Sequence, residues 1–195
     1  MIAKTAIIYP QVKLGKNAIV EDYCIIGAPL RDGSMPETVI GDNAHLRSFT
    51  VIYAGNQIGS HFQTGNKANI RENNKIGNHV SIGTLSVVEH HVVIEDNVRI
   101  HTSTLICEYS VLKKGCWIGP HVVTTNVKVP LSPESKANLQ APIIEAGAII
   151  GGNCTISPGV VVGPNALIGS ASNLTKNIKA DHVAYGHPAT EKRTR

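Results

Sequence analysis

The sequence predicts an all-β chain of short strands repeated every six residues, and three observations carry that prediction. Stepping by six from Ile40 to Thr124 meets fifteen positions, of which only Thr64 and Thr124 are not Ile, Leu or Val. The residue four further on is mostly small or β-branched, as at Ala44, Thr50, Ala68, Val80, Ser86 and Val92. Glycine commonly follows the aliphatic residue, as at Gly41, Gly59, Gly77, Gly83 and Gly119. Six is a multiple of the two-residue strand period, so both apolar positions of a unit face the same way. A helix would need apolar residues spaced by three and four, and that pattern is absent. The glycines and asparagines between units suit corners of positive φ.

Taken in order along the chain, the same register runs through Ile2, Ile8, Leu14, Val20 and Ile26 before Ile40, and resumes at Ile144, Ile150, Ile156, Val162, Ile168 and Leu174. Two polar, Pro-containing segments interrupt it. One lies near 31–39 (RDGSMPETV) and adds eight residues, and the other, at 125–143, adds fourteen. Both are predicted to be loops, and loops on a rigid scaffold commonly carry function. After Leu174 the register is lost. The expected organisation is therefore a repeat domain over 1–178 and a short C-terminal tail over 179–195.

Composition narrows the functional classes. A net charge of +4 with 16% charged residues provides no basic field for nucleic acid, and 4% aromatics provide few stacking platforms. The longest apolar runs are a few residues, far short of a membrane span, and MIAKTAIIYP lacks the features of a signal peptide. Four scattered cysteines without a CxxC read as reduced thiols of a cytoplasmic protein. Three of them (Cys24, Cys116, Cys154) occupy the inward small position, and Cys107 lies at a corner.

The hexad of aliphatic residue, Gly, two variable residues, small residue and one more resembles the hexapeptide-repeat acyltransferase family. That resemblance implies a left-handed parallel β-helix of three hexads per coil, about nine coils long. It also implies trimers with parallel axes, acyl-coenzyme A as co-substrate and no metal. The tail residues Gly186, His187, Pro188 and Ala189 are similar to the family's C-terminal G-x-P-A signature, near which coenzyme A lies. On that resemblance Gly152, Ser170, Lys176, Pro188, Lys192 and Arg193 are the candidate cofactor-binding residues.

Eighteen residues per coil decides which side chains share an edge. The stretch VEHHVVIEDNVRIHTST, from Val88, looks like one acid and histidine cluster, yet it spans three corners. His61, His79 and Asn97 fall in one column, and Glu72, His90, Glu108 and Asn126 in another, with Asn73, His91 and Tyr109 beside it. His101 stands in a third column, between Gly83 and Gly119. The γ-class carbonic anhydrases share the fold, but their zinc needs histidines thirty-six apart with a third five beyond. No histidine here has both partners.

The second loop, TNVKVPLSPESK, lacks the histidine carried by antibiotic and maltose acetyltransferases. With its Thr-Asn opening, the chain looks more like nucleotide-amino-sugar N-acetyltransferases of surface-polysaccharide pathways. These relatives often read TGHN where Thr64, Gly65, Asn66 and Lys67 stand here. The implied reaction is transfer of an acetyl or short acyl group to the amine of a nucleotide-linked sugar. Transfer to a sugar hydroxyl, and a non-catalytic assembly subunit, are the alternatives. The candidate catalytic residues are His101, at a corner start where glycine is usual, and Asp96, one face earlier. The candidate substrate-binding residues are Ser86, Ser103, Asn126 and Asn66.

Overall fold

The structure, a computed structural model describing residues 1–195, is a left-handed parallel β-helix. Its twenty-seven strands are mostly two residues long, and every third one stacks on the same face of a triangular prism. Face 1 begins at Ile7–Ile8 and has nine strands, and face 2 begins at Val12–Leu14 and has eight. Face 3 begins at Ile19–Val20 and has ten, the last being the final strand of the chain. At roughly 4.8 Å per strand, nine strands give a prism of about 38 Å. The eighteen-residue register is explicit on every face: Ile52 pairs with Ile70, Ile76 with Ile94, and Ile82 with Ile100.

The period of six produces this prism because both apolar positions of each hexad point inward. Ile52, Ile70, Val88 and Ile106 form one fully buried stack, and Val80, Val98 and Cys116 fill the small position of another. All four cysteines are buried and free. Cys107, expected at a corner, is only 5% exposed and lies 3.2 Å from the Ser110 hydroxyl. Burial pushes its thiol up, and pushes Cys116 up to about 12, so neither is a nucleophile at neutral pH.

The corner glycines have a specific cause. A Cβ at Gly77 would lie 2.8 Å from the Asp96 backbone nitrogen of the next coil, and against its carboxylate. The space is used by that carboxylate, which accepts from the Asn78 backbone N–H at 2.6 Å and from the Asn78 amide at 3.2 Å. The same step repeats down the edge, from Ser60 N–H to Asn78 and from Asp42 N–H to Ser60. Side chains one coil on thus satisfy corner amides that no strand partner reaches.

Both insertions leave the edge between faces 1 and 2. The first joins Ile25–Ala28 to Thr38–Ile40, and the second joins Val123–Thr124 to Ile143–Ile144. The strands therefore resume slightly before the 31–39 and 125–143 boundaries end. The C-terminal segment also differs from the expected tail. Ile178 bridges to Val162 and Ala184 pairs with Ile168, so the coil continues past 178 with a spacing of sixteen. His182–Gly186 and Ala189–Thr194 then form an antiparallel hairpin that closes face 3, turning at a cis His187–Pro188 bond. No helix is long and apolar enough to cross a membrane.

Candidate functional site

The edge between faces 3 and 1 gathers most of the chemistry. His101 follows the face 3 strand Arg99–Ile100 and occupies the corner position held by Gly65 and Gly83 in the two preceding coils. Its backbone is seated closely: a Cβ at Gly83 would lie 2.4 Å from the His101 carbonyl carbon. The imidazole rests against the Trp117 indole, ring centroids 4.5 Å apart. Its Nε2 is shielded from solvent and has no hydrogen-bond partner. Burial, and then the positive charge of Arg99, hold the His101 pKa below the ordinary histidine value. The ring is therefore neutral at neutral pH and competent to accept a proton.

Beside His101 runs a trough of about 230 Å³ along the same edge. Arg47 marks one end and His101 the other, with Gly65 and Gly83 between them. Its face 3 wall is Gln63, Ser81 and Arg99, and Thr102 stands at the corner. Drug-sized pockets occupy roughly 300–1,000 Å³, so this trough suits one part of a substrate rather than the whole. In the other direction the edge continues from His101 through Gly119 and Gly151 to Gly169, each stacked on the next coil. It ends at the Tyr185–Pro188 hairpin turn.

Several predicted residues stand on this edge. Asn66 is exposed, one residue after Gly65, and Ser103 follows Thr102 at positive φ. Gly152 accepts at its carbonyl from Ala171 N–H, which places Ser170 directly above it, and Pro188 lies at the hairpin turn. Lys192 and Arg193 are on the last strand, with the Lys192 ammonium 5.1 Å from the Tyr185 ring centroid.

Others are placed elsewhere. Ser86 is fully buried inside the prism, so it cannot line a substrate pocket. Its hydroxyl donates to the His101 carbonyl at 2.7 Å and accepts from Thr104 N–H at 3.1 Å, making it a strut beneath the histidine. Asn126 is 6% exposed and ties down the second loop, donating to the Glu108 carbonyl and accepting at its own carbonyl from Gln140 N–H. It too is not free for substrate. Asp96 lies on the edge between faces 2 and 3, engaged with Asn78 as described, and within this chain does not join His101. Lys176 follows Leu174 on face 1 and sits on the edge between faces 1 and 2, apart from the other cofactor candidates.

The remaining histidines divide as the eighteen-residue columns predict. His61 and His79 stack with centroids 4.4 Å apart, while His90, His91 and Tyr109 cluster on the edge from which the loops depart. No group of three metal-ligating side chains is brought together. Arg47, Arg99 and Trp117 were not singled out from sequence. The eighteen-residue column holds the signal: Arg47, Gly65, Gly83 and His101 share one, and Ser81, Arg99 and Trp117 another.

Comparison with known proteins agrees with this architecture. No family model matches the chain. A galactoside O-acetyltransferase of Lactococcus lactis subsp. lactis (strain IL1403) is 34% identical over 79 residues, covering 38% of each protein. The chain thus matches well under half the length of that curated relative. A structure described as a putative acetyltransferase from Bacillus cereus superposes with a TM-score of 0.60 at 20% identity, covering 71% of this chain and 77% of that one. A UDP-N-acetylglucosamine acyltransferase from Campylobacter jejuni superposes at 0.57 and 18% identity, covering all of this chain and 75% of that one. What the chain shares with both is the β-helix fold, and its structural neighbours are acetyl- and acyltransferases.

Proposed function

We propose that the chain is an acyltransferase that moves an acetyl or short acyl group from coenzyme A to the amino group of a nucleotide-linked amino sugar. The observation that carries the reading is the position of His101, a desolvated neutral base midway along one continuous edge. Toward the C-terminus, the four coil steps to Tyr185 span about 19 Å at ~4.8 Å each, a track suited to an extended thioester donor. On this reading Gly152 and Ser170 flank the donor's arm, and Pro188, Lys192 and Arg193 receive its phosphate end. Toward the N-terminus the trough receives the acceptor, with Asn66 and Ser103 orienting it.

The amine nitrogen attacks the thioester carbonyl, giving a tetrahedral oxyanion. His101 takes the proton from the resulting ammonium, the carbon–sulfur bond breaks, and the thiolate leaves and recovers that proton. Holding both reactants along one edge supplies most of the acceleration. The base adds a further factor, typically ~10²–10⁴ where it is essential. No metal is required in this scheme.

A second reading, transfer to a sugar hydroxyl, is favoured by the name of the Lactococcus relative. Thiol release across a panel of UDP- and dTDP-amino sugars and hydroxyl sugars separates the two. Turnover of hydroxyl acceptors with none on any amine overturns the first. A non-catalytic subunit would show no heat with acetyl-CoA in calorimetry.

The proposal includes a homotrimer. The outward positions of face 1, Ile25, Val51, Val87, Leu105 and Val123, make an apolar column interrupted by Asn69. The Asn69 side-chain oxygen Oδ1 is shielded and unpartnered, and a donor from a neighbouring subunit would satisfy it. The proposal also places the protein in the cytoplasm, a reducing compartment suited to four free buried thiols.

A further inference from the structure

We infer that the trough between Arg47 and His101 binds the diphosphate of the acceptor, with Arg99 and Arg47 as its anion-contacting residues. This rests on the acyltransferase reading and names the chemistry of its acceptor site.

Four observations carry it. None of the eleven residues lining the trough is acidic. Arg99 takes part in no ion pair, although it is exposed between Ser81 and Trp117 on face 3. Arg47 has one carboxylate neighbour, Glu21 at 3.6 Å, and that carboxylate is already bonded to His45 at 2.8 Å and Ser48 at 3.0 Å. Arg99 therefore faces the cavity without counter-charge and Arg47 with only a shared one, and a dianionic group between them gains charge-assisted and bidentate bonds. Neutral donors are also present, in the Gln63 amide and the Ser81 and Thr102 hydroxyls.

Geometry sets the order of groups. Arg47 and His101 are three coils apart, about 14 Å along the axis at ~4.8 Å per coil. A hexose with its amine at His101 directs its anomeric oxygen away from the donor track and into the trough. The diphosphate then lies over Gly65 and Gly83, between the two arginines. The trough is too small for the nucleoside as well, which extends beyond Arg47.

The shared chemistry, a diphosphate, also occurs in coenzyme A, so the test must separate the two sources. Trp117 is the chain's single tryptophan and lies at the trough's end, so its emission reports occupancy. UDP and uridine are titrated against Trp117 fluorescence, and coenzyme A is measured by calorimetry. This is done for the full-length wild-type protein and for Arg99→Gln and Arg47→Gln. The expected result is saturable binding of UDP, none by uridine at equal concentration, and about tenfold weaker UDP binding in each variant. Coenzyme A affinity stays unchanged in both.

Equal binding of UDP and uridine, or no UDP binding at millimolar concentration, overturns the proposal. Loss of coenzyme A affinity with UDP affinity intact also overturns it and assigns the arginines to the donor. Absence of acetyl-CoA binding to the wild type would instead sink the acyltransferase reading itself. Both arginines are exposed, and unchanged melting temperatures show that the variants fold.

Discussion

His101 departs from its column at the scale of a single residue: it carries a side chain where two preceding coils have glycine. Burial and then the charge of Arg99 favour the neutral form of that side chain, which rests against the Trp117 indole. With the neutral ring as the proposed base, the limb of kcat/KM that reports His101 should lie below pH 6.5, most clearly with a hydroxyl acceptor that does not titrate in this range. Replacing Arg99 by Gln removes one of the lowering influences, so the acid limb should move toward higher pH, and a pH–rate profile reads this directly. Folding is linked with the same sign. Between the depressed folded pKa and the ordinary value near 6.5, the unfolded chain binds a proton that the folded chain does not. Stability from this group therefore falls as pH drops through that window. His101→Ala should cost about 10²-fold or more on a hydroxyl acceptor, and less on an amine that is already nucleophilic once deprotonated. Steady-state rates on the two acceptor types check that difference.

At the scale of the structural element, the unit is the corner and the strand it launches. Most corners place a non-glycine residue near φ +60°, among them Asn43, His61, His79, Asn97 and Asn165. That tolerance comes from neighbours one coil away that satisfy each backbone group. The clearest case is inside the prism on the edge between faces 1 and 2, where Asn56 and Asn74 are fully buried. Asn56 accepts from Asn74 N–H, and Asn74 accepts from Val92 N–H at 2.7 Å while donating to the Arg71 carbonyl at 2.8 Å. Asn74→Ala leaves the Val92 amide without a partner in a dry interior, while the Arg71 carbonyl keeps only the Asn56 amide. It should destabilise by about 2–4 kcal/mol, seen as a lowered midpoint in denaturant unfolding.

The scale of the whole molecule is set by the three edges of the prism. One edge holds His101, the trough and the glycine track proposed for the donor; a second holds both loops and the His90, His91 and Tyr109 cluster; the third is a ladder of Asn, Ser and Asp. Because each coil contacts only its neighbours, the prism is stiff along its axis and its edges keep their spacing. In the proposed trimer the apolar outward column of face 1 is the seam. Light scattering should therefore return three times the chain mass. Val87→Glu with Leu105→Glu, both on that seam, should return the monomer with the melting transition of each coil array retained. A wild-type monomer would remove the trimer from the proposal.

The sequence by itself determined the six-residue strand period, its inward pattern and the two loop sites, and with the family resemblance it also implied the three-faced prism and the separation of the histidines. A strict period of six admits one inward pattern, while three hexads per coil, and with them the eighteen-residue columns through Ile52, Ile70 and Val88, came with the resemblance to hexapeptide-repeat proteins. It also marked His101, because a bulky polar residue interrupts a glycine column. Tertiary structure decided what lies inward or outward at the remaining corners. Ser86 and Asn126 were read as substrate candidates, yet Ser86 stands at the inward small position of its hexad, as the register itself implies, and Asn126 is spent on holding a loop. Arg47, Arg99 and Trp117 became part of a site only when coils three and one steps apart were stacked beside the histidine. The physical reason is that the hexad constrains only the two residues that point inward. The outward and corner residues are free in sequence, and their meaning is set by neighbours eighteen positions away, across a distance of one strand spacing.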